Sequence, residues 1–192
     1  MNREMGCDQI TTEKPSAWTG HREFAGWLVN KMKPEVIVDL GVDYGHSTFY
    51  LAAPGIGQVF GVDSFEGDNH AGIRDTYEYV LTTKEKFGFD NITVIKGLFD
   101  DVAKTWDQPI DLLHIDGLHT YDAVKNDYET WKKFLKEDSV IIFHDTVSFP
   151  DDVGRFFEEL DMHKAMFSHS AGLGVASNNP AIIAAIGSEF NS

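Results

Sequence analysis

Short apolar runs rich in β-branched residues recur along the chain and predict five buried strands. They cover residues 35–40, 58–62, 91–95, 111–115 and 139–143, and residues 162–167 and 172–176 suggest two further short strands. Between them, apolar residues recur with the 3.6-residue period of a helix over residues 20–31, 46–53, 73–87 and 120–135, and Pro150 opens a short helix through Leu160. Strands that alternate with helices build a parallel sheet. We therefore expect an α/β fold: a doubly wound, mostly parallel seven-stranded sheet with helices on both faces.

The first fifteen residues are polar and lack an apolar run, so we expect a disordered leader over residues 1–15 and a single domain over residues 16–192. No stretch approaches the ~20 apolar residues of a membrane helix. A net charge of −15 repels phosphate backbones, which argues against nucleic acid as a partner. Cys7 is the only cysteine and excludes an internal disulfide. We predict a cytoplasmic protein without membrane insertion.

Four of the predicted strands end in a carboxylate, at Asp39, Asp63, Asp116 and Asp145. In open α/β sheets, ligands bind at the carboxyl ends of the strands. A single aspartate there could cap a helix or sit in a turn, whereas four at one edge are better explained by a binding site.

A glycine-containing turn follows the first strand, in the segment VDLGVDYGHS at residues 38–47. The spacing of Gly41 and Gly45 is neither the Gly-x-Gly-x-x-Gly of dinucleotide-binding proteins nor a phosphate-binding loop. Asp39, before the first glycine, disfavours a phosphate and favours a cationic ligand. The alternative is a plain tight turn.

This segment resembles the first motif of the class I S-adenosylmethionine-dependent methyltransferases. The resemblance implies that Asp39 and the glycines surround the methionine part of the cofactor and that Asp63 holds the ribose hydroxyls. Phe99, after the third strand, falls where that family lines the adenine, although it could equally be a core residue. The implied cofactor site comprises Asp39, Gly41, Gly45, Ser47, Asp63, Phe99 and Asp116.

The pair Asp116-x-x-His119, together with His144 and Asp145, resembles the site of metal-dependent O-methyltransferases of the catechol and macrolide-sugar types. The resemblance implies that Asp116, His144 and Asp145 bind a divalent metal and that His119 is the general base. A metal lowers the pKa of a bound hydroxyl, and an imidazole can take that proton near neutral pH.

Two alternatives stay open at this site. His144 stands where those families have a carboxylate, so it would favour Mn²⁺, Fe²⁺ or Zn²⁺ over Mg²⁺, or be a second polar group in a pocket without metal. His119 could instead be a histidine at a helix entry that bonds the backbone. His114, inside the fourth strand, is expected to be a buried, hydrogen-bonded histidine.

Residues 16–177 resemble a bacterial methyltransferase family found with glycosyltransferases in glycan gene clusters. The segments that carry the resemblance are WTGH at 18–21, EGDNHAG at 66–72, LLHIDGLHTY at 112–121, FHDT at 143–146 and HSAGLGV at 169–175. Aromatic and imidazole groups at a pocket rim suit a sugar hydroxyl. The candidate acceptor-binding residues are Trp18, His21, His70 and His169, although each alone could be an ordinary loop residue.

We predict S-adenosylmethionine-dependent O-methylation of a hydroxyl on a sugar, glycan or other small polar metabolite, and leave open a homodimer. One alternative is a nicotinamide-dependent oxidoreductase on the same sheet, which the glycine spacing disfavours. The other is a non-catalytic cofactor-binding module. The joint presence of Asp116, His119 and Asp145 argues against that module.

Overall fold

A computed structural model describes residues 3–68 and 72–190 of the chain. The chain divides into two compact units, Met1–Trp106 and Asp107–Ser192.

The first unit contains three parallel strands in the order β5-β2-β1. In chain order its elements are α1 (Arg3–Glu13), a 3₁₀ turn (Ala17–His21), α2 (Arg22–Met32), β1 (Val36–Leu40), α3 (His46–Ala52), β2 (Gln58–Asp63), a small hairpin of β3 (Gly67–Asp68) and β4 (Gly72–Ile73), α4 (Tyr77–Phe87), β5 (Ile92–Lys96) and α5 (Phe99–Ala103). The register pairs Asp39 with Gly61 and Asp63 with Lys96. Consequently β1 and β2 end close together, where the glycine-containing turn begins.

The second unit contains four strands in the order β6-β7-β9-β8. Its elements are β6 (Ile110–Ile115), α6 (Tyr121–Trp131), a 3₁₀ turn (Lys132–Phe134), β7 (Leu135–His144), a π-helical turn (Pro150–Gly154), α7 (Arg155–Glu159), β8 (His163–Phe167), β9 (Leu173–Ser177) and α8 (Pro180–Phe190). Strands β6 and β7 are parallel, and β9 runs antiparallel to both β7 and β8. The pairing of Ile115 with Phe143 brings the ends of β6 and β7 side by side.

These strands form the predicted seven-stranded, mostly parallel sheet, and the α/β prediction is confirmed. The central strands are buried along most of their length, as their continuous apolar runs predict: Val38 and Leu40 in β1 and Leu113 in β6 are fully inaccessible to solvent. None of the helices in the described ranges has the length and apolar character needed to cross a membrane.

The predicted disordered leader is wrong, because residues 3–13 form α1. Cys7 and Ile10 are fully buried, and Thr11 Oγ1 lies 2.6 Å from the Tyr50 hydroxyl of α3. Arg22 donates hydrogen bonds of 2.6 Å to Asp8 and 2.7 Å to Glu4. Two buried apolar side chains within a mostly polar segment give little periodic signal, yet they anchor the helix once α3 is present.

Three element boundaries also differ from the predictions. The helix predicted over residues 120–135 ends at Trp131, and Leu135 begins β7 instead. Ile73 belongs to β4, so that α4 begins only at Tyr77.

The sequence pattern did not predict α8, whose segment is apolar on most sides and lacks a clear helical stripe.

Candidate active site

In the first unit, Asp39 holds the start of α3 against the end of β1. Its side chain is fully buried, and one carboxylate oxygen accepts hydrogen bonds from Ser47 Oγ at 2.8 Å and from Thr48 Oγ1. Gly45 precedes α3 with φ +92°, and a Cβ there would lie 2.5 Å from the Phe49 ring. Asp39 and Ser47, both predicted to contact the cofactor, therefore bond to each other and fix the turn between strand and helix.

Asp63, the last residue of β2, organises the loops that follow both strands. Its Oδ2 accepts from the backbone N–H groups of Val42 at 2.8 Å and Asp43 at 2.9 Å, and its Oδ1 accepts from Phe65 N at 2.7 Å. Burial raises the pKa of Asp63, and these amides oppose that effect. A carboxylate has about four acceptor positions, so three amides leave capacity for a ligand hydroxyl.

An ion pair that the sequence did not predict fastens the same loop. Arg74 donates to both carboxylate oxygens of Asp43, at 2.9 and 2.6 Å. Two cations lie over the Tyr44 ring: the Arg74 guanidinium is 5.2 Å and the Lys14 ammonium 4.6 Å from the ring centroid. Thr76 Oγ1 also donates to Asp43 O at 2.7 Å. The loop after β1 is therefore tied to the segment that precedes α4.

Other predicted residues of the first unit lie in different surroundings. Phe99 is half-buried at the first position of α5, and Gly97 N donates to Asp63 O at 2.8 Å, which brings that segment beside Asp63. Trp18 and His21 are 3% and 0% exposed, with ring centroids 5.7 Å apart. The 3₁₀ turn packs both rings inward, and their predicted contact with the acceptor stays a prediction.

His70 lies outside the described residues. In the second unit, His169 is exposed in the turn between β8 and β9, and its Nδ1 lies 3.1 Å from Ser170 Oγ. Its predicted contact with the acceptor stays a prediction. His114 is fully buried within β6, as expected.

The ends of β6 and β7 bring two carboxylates and two imidazoles together. His119 Nε2 lies 2.9 Å from Asp145 Oδ2 and 3.4 Å from Asp116 Oδ1. His144 Nδ1 lies 3.1 Å from Asp145 Oδ2 and 3.4 Å from Asp116 Oδ2. The four side chains are only 5 to 17% exposed. All four sequence-predicted residues of this site therefore form one cluster.

The imidazoles and carboxylates of this cluster stabilise one another's charged forms. Burial disfavours protonation of His119, but its hydrogen bonds to Asp116 and Asp145 outweigh that effect and raise its pKa to about 9. Burial likewise opposes protonation of His144, yet the Asp116 charge and the bonds to both carboxylates raise its pKa to about 10. Burial raises the carboxyl pKa values, whereas the imidazoles lower them, so the pKa of Asp116 lies well below its usual range and that of Asp145 is also lowered.

Phe149 orients His119 and was not predicted as part of the site. The two rings are stacked, 4.5 Å between centroids and 7° from parallel. At the start of α6, Thr120 Oγ1 accepts from Ala123 N at 3.3 Å and Asp152 Oδ1 accepts from Tyr121 N at 2.9 Å. The imidazole is thus held by a ring on one side, carboxylates at Nε2 and a capped helix behind it.

The donor atoms suit a divalent cation. One ligand atom each from Asp116, His144 and Asp145 lie within 4.8 Å of one another, and no other such group of three occurs in the described part of the chain. Two carboxylate oxygens with one imidazole nitrogen match Mn²⁺, Fe²⁺ or Zn²⁺ better than Mg²⁺, which prefers oxygen ligands alone.

Comparison with known proteins identifies the family. A family model described as a methyltransferase domain matches residues 38–146, more than half of the chain. The chain belongs to this methyltransferase family. The matched range includes the glycine-containing turn, Asp63, Asp116, His119, His144 and Asp145. It also spans residue 106, where the two compact units meet in sequence.

A curated relative and two solved structures resemble this methyltransferase. The uncharacterized protein y4gI of Sinorhizobium fredii is 37% identical over 138 residues, which are 68% of this chain and 15% of that protein. A methyltransferase from Geobacter sulfurreducens has a TM-score of 0.68 at 15% identity, over 91% of this chain and 88% of that one. An O-methyltransferase from Bacillus cereus, in complex with SAH, has a TM-score of 0.64 at 18% identity, over 82% and 80%.

The predicted membership of a methyltransferase family and the predicted Rossmann-like methyltransferase fold are confirmed. S-adenosylmethionine as the methyl donor stays a prediction. Membership argues against the nicotinamide-dependent alternative. The roles of individual site residues stay predictions.

Proposed function

We propose that this methyltransferase transfers the methyl group of S-adenosylmethionine to a hydroxyl of a sugar, glycan or other small polar metabolite. His119 is the general base, and Asp116, His144 and Asp145 hold a divalent cation. The observation that carries the proposal is the cluster of these four side chains, joined by contacts of 2.9 to 3.4 Å.

The first unit supplies the features expected of a donor site. The loop after β1 is already bonded to Asp63, which keeps acceptor capacity for ribose hydroxyls. The Asp63 carboxylate and a chain charge of −15 favour a sulfonium cation over a phosphate-bearing cofactor. Phe99, half-buried at the start of α5, is the side chain that we assign to the adenine.

In the second unit, we assign the acceptor proton to His119 Nε2, which lies 2.9 Å from Asp145 Oδ2 and 3.4 Å from Asp116 Oδ1. A cation held by the three ligands would supply Lewis acidity, which would lower the pKa of an acceptor hydroxyl. The pKa of about 9 at His119 reflects its bonds to Asp116 and Asp145, and these carboxylates lose that effect once they serve as ligands. With both carboxylates engaged by a cation, His119 would accept a proton near neutral pH.

Titration calorimetry combined with a methyl-transfer assay tests the proposal. We expect S-adenosylmethionine and SAH to bind, and reduced nicotinamide cofactors to give no heat. Asp63→Ala should weaken cofactor binding, because the backbone N–H groups of Val42 and Asp43 lose the carboxylate oxygen that accepts from both. With a panel of sugars and glycans as acceptors and Mn²⁺ present, formation of a methyl ether should depend on His119.

His119→Asn is the decisive variant, and His163→Asn, at an exposed position in β8, is its matched control. We expect His119→Asn to bind cofactor normally and to lose about 10²- to 10⁴-fold in turnover, the usual contribution of a positioned base. Full turnover in this variant would exclude His119 as the base. Cofactor binding by the wild-type protein without any methyl transfer would favour the non-catalytic module.

The acceptor class rests on the exposed His169 and on the resemblance to the glycan-associated family. The homodimer stays a prediction, which light scattering on the purified protein would test.

A further inference from the structure

Asp145 has a backbone conformation that few side chains adopt. Its φ is +63°, in the left-handed region, which aspartate enters more readily than most side chains but which is still uncommon for any residue other than glycine. Such a conformation persists only when the surrounding structure imposes it. Because Asp145 is a candidate metal ligand, whatever holds its backbone also sets the position of its carboxylate.

The turn between β8 and β9, residues 168–172, supplies that restraint. A single carbonyl, Ala171 O, accepts hydrogen bonds from both Val147 N and Ser148 N, each at 3.0 Å. Phe149 N donates to Asp145 O at 3.0 Å and closes the segment on itself. The segment that follows Asp145 is therefore held by the 168–172 turn and by one bond of its own.

The turn reaches this segment by means of an unusual backbone. Ser170, Ala171 and Gly172 have consecutive φ values of +53°, +71° and +90°. At Gly172 a Cβ would lie 2.5 Å from Val147 N and 2.7 Å from Thr146 Oγ1. Only a residue without a side chain permits this approach, since a Cβ would push the turn away from the two amides.

The sheet register explains why the turn acts on Asp145. Strands β7 and β9 are antiparallel, with His144 opposite Leu173. Gly172 and Asp145 are the next residues along each strand, so a displacement of the turn is transmitted directly to the backbone of Asp145.

We propose that Gly172 is a positioning residue for the metal site: it lets the 168–172 turn hold Asp145 in the geometry of a ligand. The inference rests on the proposed metal site of Asp116, His144 and Asp145. It assigns no chemistry to Gly172 itself, which acts through the backbone of residues 145–148.

The test measures Mn²⁺ affinity by calorimetry and by the signal of free Mn²⁺ in electron paramagnetic resonance, without substrate or turnover. Gly172→Ala should bind Mn²⁺ about 10- to 100-fold more weakly, the usual effect of disturbing groups that support metal ligands. Gly26→Ala is the matched control, because a Cβ there meets nothing within 4 Å. Ala171→Gly should keep the wild-type affinity, because it leaves the accepting carbonyl in place.

Hydrogen exchange of the wild-type protein gives a second measurement, which still applies if Gly172→Ala fails to fold. Binding of Mn²⁺ should slow exchange at the Val147 and Ser148 amides, because a restraint that positions a ligand is in turn strengthened by the metal. The inference fails if Mn²⁺ binds and these amides exchange as before, or if a folded Gly172→Ala binds Mn²⁺ like the wild type. Absence of Mn²⁺ binding by the wild-type protein would overturn the metal site itself, a result distinguishable from both.

Discussion

At the scale of single residues, the stacking of Phe149 on His119 fixes the plane of the imidazole. The rings are nearly parallel, so the Nε2 atom stays directed towards Asp145 and Asp116. We expect Phe149→Ala to lower kcat by roughly two- to tenfold, the equivalent of ~0.5–1.5 kcal/mol for an aromatic pair. Steady-state kinetics and cofactor calorimetry would check this. Phe149→Tyr keeps the ring and should behave as wild type, whereas loss of cofactor affinity in Phe149→Ala would contradict the assignment.

The titratable residues of the candidate site in the second unit could be predicted from sequence, because they lie at strand ends or a few residues beyond them. Asp116 directly follows β6, and His144 ends β7, so parallel pairing alone brings them together. Phe149 could not be predicted, because its stacking depends on the path of the loop after β7. The burial of Trp18 and His21 could not be predicted for a related reason: burial of a loop residue is decided by tertiary packing that the local sequence does not encode.

At the scale of elements, α1 should contribute measurably to stability. Ile10 is fully buried, so Ile10→Ala removes buried methyl groups and leaves a cavity. We expect the free energy of unfolding to fall by about 2–5 kcal/mol, measured by urea denaturation. Thr12→Ala, at an exposed position on the same helix, should change it by under about 0.5 kcal/mol. Equal stability of the two variants would mean that α1 does not pack in solution as described.

Elements with a continuous apolar run or a clear helical stripe were predicted well, as β1, β6 and α2 illustrate. Elements with few or too many apolar residues were not. α1 has only scattered apolar positions, and α8 is apolar nearly throughout. In both, packing against other elements selects the helix more than the local pattern does.

At the scale of the whole molecule, the metal-free protein should lose stability as pH rises from about 7 to 10. The folded-state pKa values of His119 and His144 are about 9 and about 10, above the unfolded value near 6.5. Their stabilising contribution is fully present below pH ~6.5 and is lost as the pH passes through the folded values. Thermal unfolding in the presence of a chelator, across this range, would measure the effect.

His144→Asn separates this effect from the growing negative charge of the chain, because it removes one of the two titrating groups. We expect its melting temperature to depend less steeply on pH than that of the wild type. An identical slope in both proteins would show that His144 is not a protonated partner of the carboxylates in the folded state.

The fold class of the whole molecule followed from the alternation of strands and helices. Its division into the units Met1–Trp106 and Asp107–Ser192 did not, because no change of composition marks residue 106. Such a division depends on which contacts form in three dimensions. The strands and helices alternate without interruption on both sides of residue 106, so the sequence pattern gives no sign of it.

The three hydrogen bonds that backbone amides donate to Asp63 affect both the rate and the affinity of cofactor binding. The loops after β1 and β2 are already ordered around that carboxylate, so little backbone entropy remains to be lost when a ligand arrives. Binding of the methyl donor should therefore require little rearrangement of these loops. Its association kinetics should follow a single step, without a slower conformational phase.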